Sequence, residues 1–212
     1  MNKNDFDEIQ LFSTPIYSTF DLDSVELVKT VSEDTQYHVE KVDQAHTEMS
    51  GSFYHDERLF DFALHILQSS WNILKHQGFL MENYQTIYES MWLQTHPKHS
   101  YMAQHIHANN NQIVGFYFLE VPDNSTQLLL HDPRAGKAQI DLDETNPNDV
   151  THGSKFVVIN PKVGQLILTS AWLAHSFTAN QSDDPVKFVH INIQAQRVAN
   201  NQCCPKPEVE VI

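Results

Sequence analysis

The sequence predicts an α+β domain that is mainly β, in which a β-barrel or jelly roll is backed by helices. Helical periodicity is confined to residues 24–78. About seven short β-prone runs follow between residues 86 and 195, with turn residues between them, as in antiparallel barrels. The chain has 212 residues, enough for one such domain. We expect the domain to occupy residues 1–195 and a flexible tail to follow at residues 196–212.

The charge and cysteine content of the chain limit its partners and its compartment. It carries 13 Lys and Arg against 27 Asp and Glu, a net charge of −14, which opposes binding to nucleic acid or to an anionic membrane surface. Cys203 and Cys204 are adjacent, so no disulfide framework is predicted. Because no signal-peptide segment or membrane-length apolar run is visible, we expect a cytoplasmic protein. The oligomeric state stays open, with a homodimer as one option.

Two elements are predicted before residue 36. Residues 11–22 indicate an edge strand, because β-prone residues surround Pro15, which cannot donate to an inner hydrogen-bond ladder. A short helix is then predicted from Ser24, a residue typical of helix N-caps. Residues 36–57 are polar without a regular period and predict an irregular surface segment.

The strongest helical pattern covers residues 58–78. Apolar side chains recur there at i, i+3 and i+4, which predicts one buried stripe. The stripe consists of Leu59, Phe60, Ala63, Leu64, Leu67, Trp71 and Leu74. Gly78 suits the C-terminal cap that ends this helix. We interpret the stripe as the face that packs on the barrel.

Beyond residue 86 the sequence changes to short runs of β-branched and aromatic residues, which predict the barrel strands. Proline, glycine and asparagine residues separate these runs. Residues 135–154 form a long polar insert. Loops of that length are typical of lids over a binding site, so we expect the insert to close over a substrate.

The segment His105-Ile106-His107 is the first sign of a functional site. In a strand, residues two apart point to the same side, so both imidazoles can face one metal ion. Imidazole is a ligand for iron, zinc and copper. A third ligand has to come from elsewhere, and His175 is the best candidate because an early and a late barrel strand can be neighbours. Three protein ligands would leave positions open for a substrate and dioxygen.

Several kinds of metal site fit this pattern. Non-heme iron oxygenases usually combine two histidines with a carboxylate, and Asp132 is the nearest carboxylate if His107 is not a ligand. A cupin adds a glutamate shortly after the second histidine, where this chain has Asn111 and Gln112. Three histidines and a water also form a catalytic zinc site, but the helical His-Glu-x-x-His motif is absent. No phosphate-binding glycine loop or nucleophilic-serine motif is present, so nucleotide-dependent and serine-hydrolase functions lack support.

Five sequence blocks in order resemble one known family. They are LFSTPIY, SMWLQTHPKHSYMAQHIHANNNQIVGFYFLEVP, LLLHDPR, NPKVGQLILTSAWLAHSF and VHINI. The chain resembles the small 2-oxoglutarate- and Fe(II)-dependent oxygenases related to the prolyl 4-hydroxylases, from residue 11 to residue 193. The resemblance implies a double-stranded β-helix and an oxygenase that uses Fe(II), 2-oxoglutarate and O2. It does not identify the substrate, which we expect to be a small molecule or a peptide.

The resemblance also implies roles for individual residues. By position, His105, His107 and His175 match the metal ligands of the family, and His107 stands where prolyl hydroxylases have aspartate. The family holds the far carboxylate of 2-oxoglutarate with a cation that opens the last strand, for which Lys187 is the nearest candidate. If the strand is aligned on Asn192, the family's arginine falls at Val186, one residue before Lys187. A one-residue difference reverses the face of the strand, and a bulge would return Lys187 to the expected face.

The remaining candidates have weaker support. Arg134 and Arg197 are the reserve cations. Tyr117 and Tyr101 are each candidates either to donate a hydroxyl to the same carboxylate or to pack in the core. Asp132 is otherwise expected to bind backbone amides in a turn. Trp92 and Trp172 are expected to pack in the core. No role is predicted for His96, His99, His131, His152 or His190.

Three hypotheses about function follow. The first is a 2-oxoglutarate- and Fe(II)-dependent hydroxylase. The second is a cupin-like three-histidine metal dioxygenase that does not use 2-oxoglutarate, which the lack of a well-placed Lys or Arg in the barrel would favour. The third is a non-catalytic barrel that binds a ligand or a partner, which widely separated histidines would favour.

Overall fold

The computed structural model describes residues 12–34, 36–37, 39–42, 47–146 and 148–198. The two α-helices in these residues are α1 (Val25–Ser32) and α2 (Phe60–His76). Short 3-10 turns lie at Glu57–Leu59, Met81–Asn83 and Ala135–Gln139. The strands are β1 (Ile16–Phe20), β2 (Val39–Val42), β3 (Thr47–Ser50), β4 (Tyr84–His96), β5 (Met102–His105), β6 (Asn111–Glu120), β7 (Leu128–His131), β8 (Phe156–Ile159), β9 (Gln165–Ser170), β10 (His175–Phe177) and β11 (Val186–Arg197).

The strands form two antiparallel sheets. The large sheet has seven strands in the order β1-β9-β6-β11-β4-β3-β2, and the small sheet has four in the order β5-β10-β7-β8. Side chains from both sheets share one buried apolar cluster, which therefore fills the space between them. This arrangement confirms the predicted mainly β architecture, with two helices beside a double-stranded β-helix.

Strand alternation gives the large sheet two packing faces. In β6, Tyr117 packs in the cluster that includes the helices, whereas Phe116 packs in the cluster between the sheets. In β11, Val189 packs in the cluster that includes the helices, and Phe188 packs in the cluster between the sheets. We call these two faces the helix face and the barrel face. Since successive side chains in a strand point to opposite sides, one residue decides which face a side chain joins.

Helix α2 confirms the strongest helical prediction, but its buried stripe is rotated from the predicted one. Phe60 and Leu64 are 66% and 39% exposed. The buried side chains just before and along the helix are instead Leu59, Phe62, Ala63, Ile66, Ser70, Ile73 and Leu74. Both stripes satisfy the helical period, and the sheet selects the second one through contacts such as the Phe62 and Tyr117 rings, 4.9 Å apart. Gly78 has a φ of 98°, which suits the predicted cap.

The N-terminal region differs more from its prediction. Helix α1 begins after Ser24 as expected, but the Ser24 side chain makes no cap bond, and its backbone N–H donates to Asp21 Oδ1 at 3.1 Å. The irregular segment expected at residues 36–57 contains β2 and β3, which extend the large sheet beside β4. Such short, largely polar edge strands pair through their backbones and show no apolar alternation in the sequence.

The two ends of the described chain bear on the remaining predictions. β1 lies at an edge of the large sheet, directly after Pro15, as expected. β11 continues to Arg197, two residues past the predicted end of the domain. Cys203 and Cys204 lie outside the described residues. None of the described helices has the length and apolar character needed to cross a membrane.

Candidate metal centre

Two neighbouring strands of the small sheet bring together histidines that lie far apart in the sequence. His175 in β10 is paired with His105 in β5, and their ring centroids are 4.4 Å apart. His107 follows β5, and its backbone N–H donates to the carbonyl of Ala171 at 2.9 Å. The His107 ring is centred 5.2 Å from each of the other two rings. The three predicted histidines therefore converge at one end of the barrel.

Hydrogen bonds orient two of these rings. His105 Nδ1 donates to the carbonyl of Ala103 at 2.8 Å, and His175 Nδ1 donates to the carbonyl of Leu173 at 3.0 Å. Because a carbonyl only accepts, each Nδ1 carries the hydrogen, and the lone pair of Nε2 stays free. His107 Nε2 and His175 Nε2 are buried without a hydrogen-bond partner. This arrangement is typical of metal-binding histidines, so the residues present fit a metal ion.

A fourth histidine joins the cluster from the large sheet. This histidine is His190 in β11. One ring nitrogen from each of His105, His107, His175 and His190 lies within 4.8 Å of the other three. The His190 ring is centred 4.6 Å from that of His107 and stacks on the Trp92 indole at 4.3 Å. No role was predicted for His190 from the sequence. The available signal was a histidine between two apolar residues in the strand-like run VKFVHINI.

Burial keeps the imidazoles of His107, His175 and His190 uncharged. It lowers the pKa of His107 to about 4 and that of His175 to about 3, and in both cases a charge on His105 would lower the pKa further. Burial also lowers the pKa of His190 well below its usual value. A neutral imidazole keeps the lone pair that a metal needs, so the site is ready for a cation at neutral pH.

Asp132 is not part of this cluster, and the carboxylate alternative for the third ligand is therefore corrected. Its carboxylate accepts the backbone N–H of Arg134 at 2.9 Å and Nη2 of the same residue at 2.6 Å. These bonds lower the pKa of Asp132 to about 2. Asp132 instead binds a backbone amide in the turn after β7, which was the alternative role predicted for it. Among the described residues, the cluster consists of histidines alone.

Lys187 and Tyr117, the expected contacts of the 2-oxoglutarate carboxylate, lie on the helix face. Lys187 Nζ donates to Glu33 Oε1 at 2.5 Å, just past the end of α1, and lies 3.5 Å from Glu120. The Tyr117 hydroxyl donates to the carbonyl of Asp21. A bulge does occur beside Lys187, but Val186 and Phe188 on either side of it both pack between the sheets. The one-residue difference in register therefore persists, and neither side chain lines the barrel face.

The reserve candidates also lie away from the histidines. Arg134 is exposed and paired with Asp132. Arg197 is seven residues beyond His190 in β11, which corresponds to roughly 23 Å along an extended strand. Tyr101 is nearly half exposed, at 46%, and precedes β5. No predicted carboxylate contact thus reaches the metal-binding end of the barrel.

Aromatic rings fill the barrel behind the histidines. Phe116 lies 5.1 Å from the His175 ring and 5.5 Å from Phe177, which stacks on Phe188 at 4.8 Å. His96 lies beyond them, with its ring 5.3 Å from each of Phe177 and Phe188. It is fully buried, and its Nε2 is hydrogen-bonded to the Gln94 amide at 2.9 Å.

Comparison with known proteins matches part of this barrel to a family model. Residues 90–188 match the model of a family described as "Putative 2OG-Fe(II) oxygenase". The match includes His105, His107 and His175, ends two residues before His190, and agrees with the resemblance seen in the sequence blocks. A search of curated proteins found no match.

Solved structures share the fold at low sequence identity. A prolyl-4-hydroxylase from Pseudomonas putida superposes with a TM-score of 0.57 at 10% identity, over 86% of this chain and 94% of its own. The carbocyclase SnoK, described as non-heme and alpha-ketoglutarate-dependent, from nogalamycin biosynthesis, has a TM-score of 0.59 at 11% identity, over 87% and 82%. HygX from Streptomyces hygroscopicus, solved with nickel and 2-oxoglutarate, has a TM-score of 0.56 at 10% identity, over 85% and 83%. At such identities the likeness establishes the fold.

The family match and the fold together support a 2-oxoglutarate- and Fe(II)-dependent oxygenase of unknown substrate. The four converging histidines agree with iron as the metal. They also weaken the hypothesis of a non-catalytic barrel, which widely separated histidines would have favoured.

Proposed function

We propose that this chain is a cytoplasmic 2-oxoglutarate- and Fe(II)-dependent oxygenase that hydroxylates a C–H bond of a small molecule or peptide. His105, His107 and His175 bind the iron. The observation that carries the proposal is the convergence of their rings, two of which have an unpartnered, buried Nε2. The family match over residues 90–188 supports iron and 2-oxoglutarate as the cofactors.

The protein's own contribution is to hold the ligands and exclude water. The carbonyls of Ala103 and Leu173 fix the rings of His105 and His175 with Nε2 directed into the site. Trp92 and Phe116 cover the inner side and keep the surroundings apolar. When bound, iron and 2-oxoglutarate supply an oxidant for a C–H bond, with succinate and carbon dioxide as the by-products.

A cleft on the small sheet is the best candidate for the substrate side. It has a volume of about 720 Å³, within the usual range for small-molecule sites. Residues 12–16, the turn 131–134 and residues 150–157 contribute to its walls. His131 lines the cleft, and its Nε2 is hydrogen-bonded at 2.8 Å to the hydroxyl of Ser176, the residue after His175. The contribution of residues 150–154 supports the idea that the polar insert covers the substrate.

One observation favours a second candidate function, a histidine-ligated metal dioxygenase that does not use 2-oxoglutarate. Lys187 is bound to Glu33 on the helix face, so the expected cation for the far carboxylate is engaged elsewhere. Arginine and lysine are the usual partners of a buried carboxylate. In this second candidate the same three histidines would hold the metal.

A titration under nitrogen separates the two candidates. Purified protein receives one equivalent of Fe(II) and then increasing 2-oxoglutarate, while its visible absorption is recorded. The first function predicts a weak charge-transfer band that needs both additions, and succinate release when air is admitted. His175→Ala should lose the band. His65→Ala, which removes an exposed histidine on α2, should keep it.

The other outcomes are equally specific. Iron binding with no spectral response to 2-oxoglutarate would replace the first function with the second. Failure to bind one equivalent of metal, together with no difference between His175→Ala and the native protein, would contradict both.

A further inference from the structure

Helix α2 has a second apolar face that the core leaves partly uncovered. Leu64, Leu67 and Trp71 lie on this face and belong to the stripe that was predicted to be buried. Leu64 is 39% exposed, and Leu67 and Trp71 are only partly buried. Contiguous apolar surface of this kind is typical of a site where another segment or molecule binds. The face is therefore a candidate docking surface, separate from the histidine cluster.

The face borders a groove between α2 and the start of β4. The groove has a volume of about 510 Å³, and its lining also includes Tyr84 and Thr86 of β4. Trp71 Nε1 donates to the carbonyl of Tyr84 at 3.0 Å, and Thr86 Oγ1 donates to the carbonyl of Leu67 at 2.8 Å. These two bonds fix α2 against β4, so the groove keeps its shape without an occupant.

The last described residues lie beside this groove. In β11, Arg197 pairs with Tyr84, and the backbone N–H of Val198 donates to the carbonyl of Asn83 at 2.9 Å. Residues 199–212 follow in the sequence. The first nine of them can extend over about 30 Å, so the next residues can return to any part of the groove. We propose that residues 208–212 of this chain occupy the groove.

The sequence of this segment matches the groove in pattern and length. Residues 208–212 are EVEVI, so an extended backbone puts Val209 and Val211 on one side and Glu208 and Glu210 on the other. The valine side can bury apolar surface against α2. Five extended residues span about 16 Å, and the part of α2 that lines the groove, residues 64–72, is about 12 Å long.

Charge favours this occupant over a second copy of the chain. Arg197 lies on the same side of the sheet as Tyr84, because the two residues are paired in the antiparallel ladder. Arg197 is exposed and has no ion pair with another described residue, so it can attract Glu208 or Glu210. A second copy would bring a net charge of −14 to the same surface. Covalent linkage also gives the segment a local concentration of about millimolar order.

Backbone order measured by nuclear magnetic resonance on the full-length protein tests the proposal. Residues 209–211 should have order parameters near about 0.85, the value of a rigid backbone, and Leu64→Glu should lower them below about 0.6. Leu27→Glu is the matched control, because it makes the same change at a leucine that is 44% exposed on α1, outside the groove. Leu27→Glu should leave the order parameters unchanged.

Two double variants in the tail give a readout that leaves the folded domain intact. Val209→Asp with Val211→Asp should release the segment and shift the amide resonances of Trp71. Asn200→Asp with Asn201→Asp adds the same charge nearer to β11 and should change neither property. Native order parameters below about 0.6 in residues 209–211, or unchanged order in both Leu64→Glu and the valine double variant, would overturn the proposal.

Sedimentation velocity tests the competing occupant. The native protein and Leu64→Glu should sediment alike, because the groove is filled within one chain. A native dimer that Leu64→Glu converts to a monomer would assign the groove to a second copy and overturn the proposal. The inference goes beyond the proposed function and does not depend on it, since none of these measurements involves the metal or 2-oxoglutarate.

Discussion

In β11, Ile191 faces the helices and His190 faces the barrel, one residue apart in the same strand. On the helix face, Ile191 and Met91 are fully buried among apolar side chains, and the buried Tyr88 hydroxyl donates to the carbonyl of Ala63. On the barrel face, the Trp92 indole nitrogen and both His190 nitrogens are buried without partners. The helix face also has unpartnered buried hydroxyls, on Tyr17 and Ser70, but the unpartnered imidazole nitrogens lie on the barrel face.

The difference shows which face is built for stability and which for a ligand. Unpaired polar atoms in a core cost free energy and persist only where something else requires them. A metal ion would give a partner to one nitrogen of each imidazole, although not to the Trp92 N–H, which is a donor. Variants on the two faces should therefore have opposite effects: barrel-face changes should affect metal binding, and helix-face changes should affect folding.

The largest effect is expected for His175→Ala. It removes a proposed ligand whose Nε2 is buried without a hydrogen-bond partner, so stoichiometric Fe(II) binding should be lost, with an affinity decrease above about 100-fold. Competition with a chromophoric chelator under nitrogen measures this decrease. His65→Ala serves as the control. An unchanged affinity in His175→Ala would remove the distinction between the two faces.

Ile191→Ala should give the opposite result. It deletes a fully buried side chain from the helix face and should lower the free energy of unfolding by about 2–5 kcal/mol. Metal affinity of the folded protein should stay native, because the side chain points away from the histidines. Urea denaturation and chelator competition give the two quantities. Loss of metal affinity without loss of stability would contradict this prediction.

The acid sensitivity of the barrel face is predicted from His96. Burial lowers its pKa to about 4, so the folded protein keeps it neutral while the unfolded chain binds a proton below about pH 6.5. Its effect on stability is therefore absent above that pH and grows as the pH falls toward 4. The loss is about 1.4 kcal/mol per pH unit, about 3 kcal/mol in all.

His96→Phe should remove that part of the pH dependence. Urea unfolding of the metal-free native and variant proteins at pH 7, 5.5 and 4.5 measures it. The native protein should lose more stability than the variant between pH 7 and 4.5. Parallel losses in the two proteins would show that His96 is not held neutral by burial.

The smallest effect is expected for Lys187→Met. The lysine is partly exposed and paired with Glu33, and such surface pairs contribute about 0–1 kcal/mol. Because it lies on the helix face, the affinity for 2-oxoglutarate should not change. Isothermal titration of the iron-loaded protein under nitrogen tests this. A large loss of affinity would return Lys187 to the co-substrate site.

The sequence was informative where local periodicity and chain order were enough. Strand alternation put His105 and His107 on one side, and the order of the strands allowed His175 to lie beside them, as β5 and β10 do. Helix α2 was predicted from its period, but its rotation was not, since two stripes fit equally well. The edge strands β2 and β3 were missed because their pairing depends on backbone bonds.

The errors at the site come from long-range register. The face that Lys187 occupies depends on how β11 pairs with β4 and β6, and a one-residue difference moves it from the barrel to the helices. The same register brings His190 onto the barrel face, opposite Trp92. No local pattern reports the face on which Lys187 lies. A histidine in a strand that is buried on both faces is nevertheless a signal for a functional site.

Anomalous diffraction from crystals soaked with Fe(II) under nitrogen tests the central claim most directly. Data recorded on both sides of the iron absorption edge locate the metal without assumptions about activity. We predict one strong peak among the imidazoles of His105, His107, His175 and His190 at the end of the barrel. Iron bound only elsewhere, or no ordered iron after a soak with excess Fe(II), would contradict this prediction.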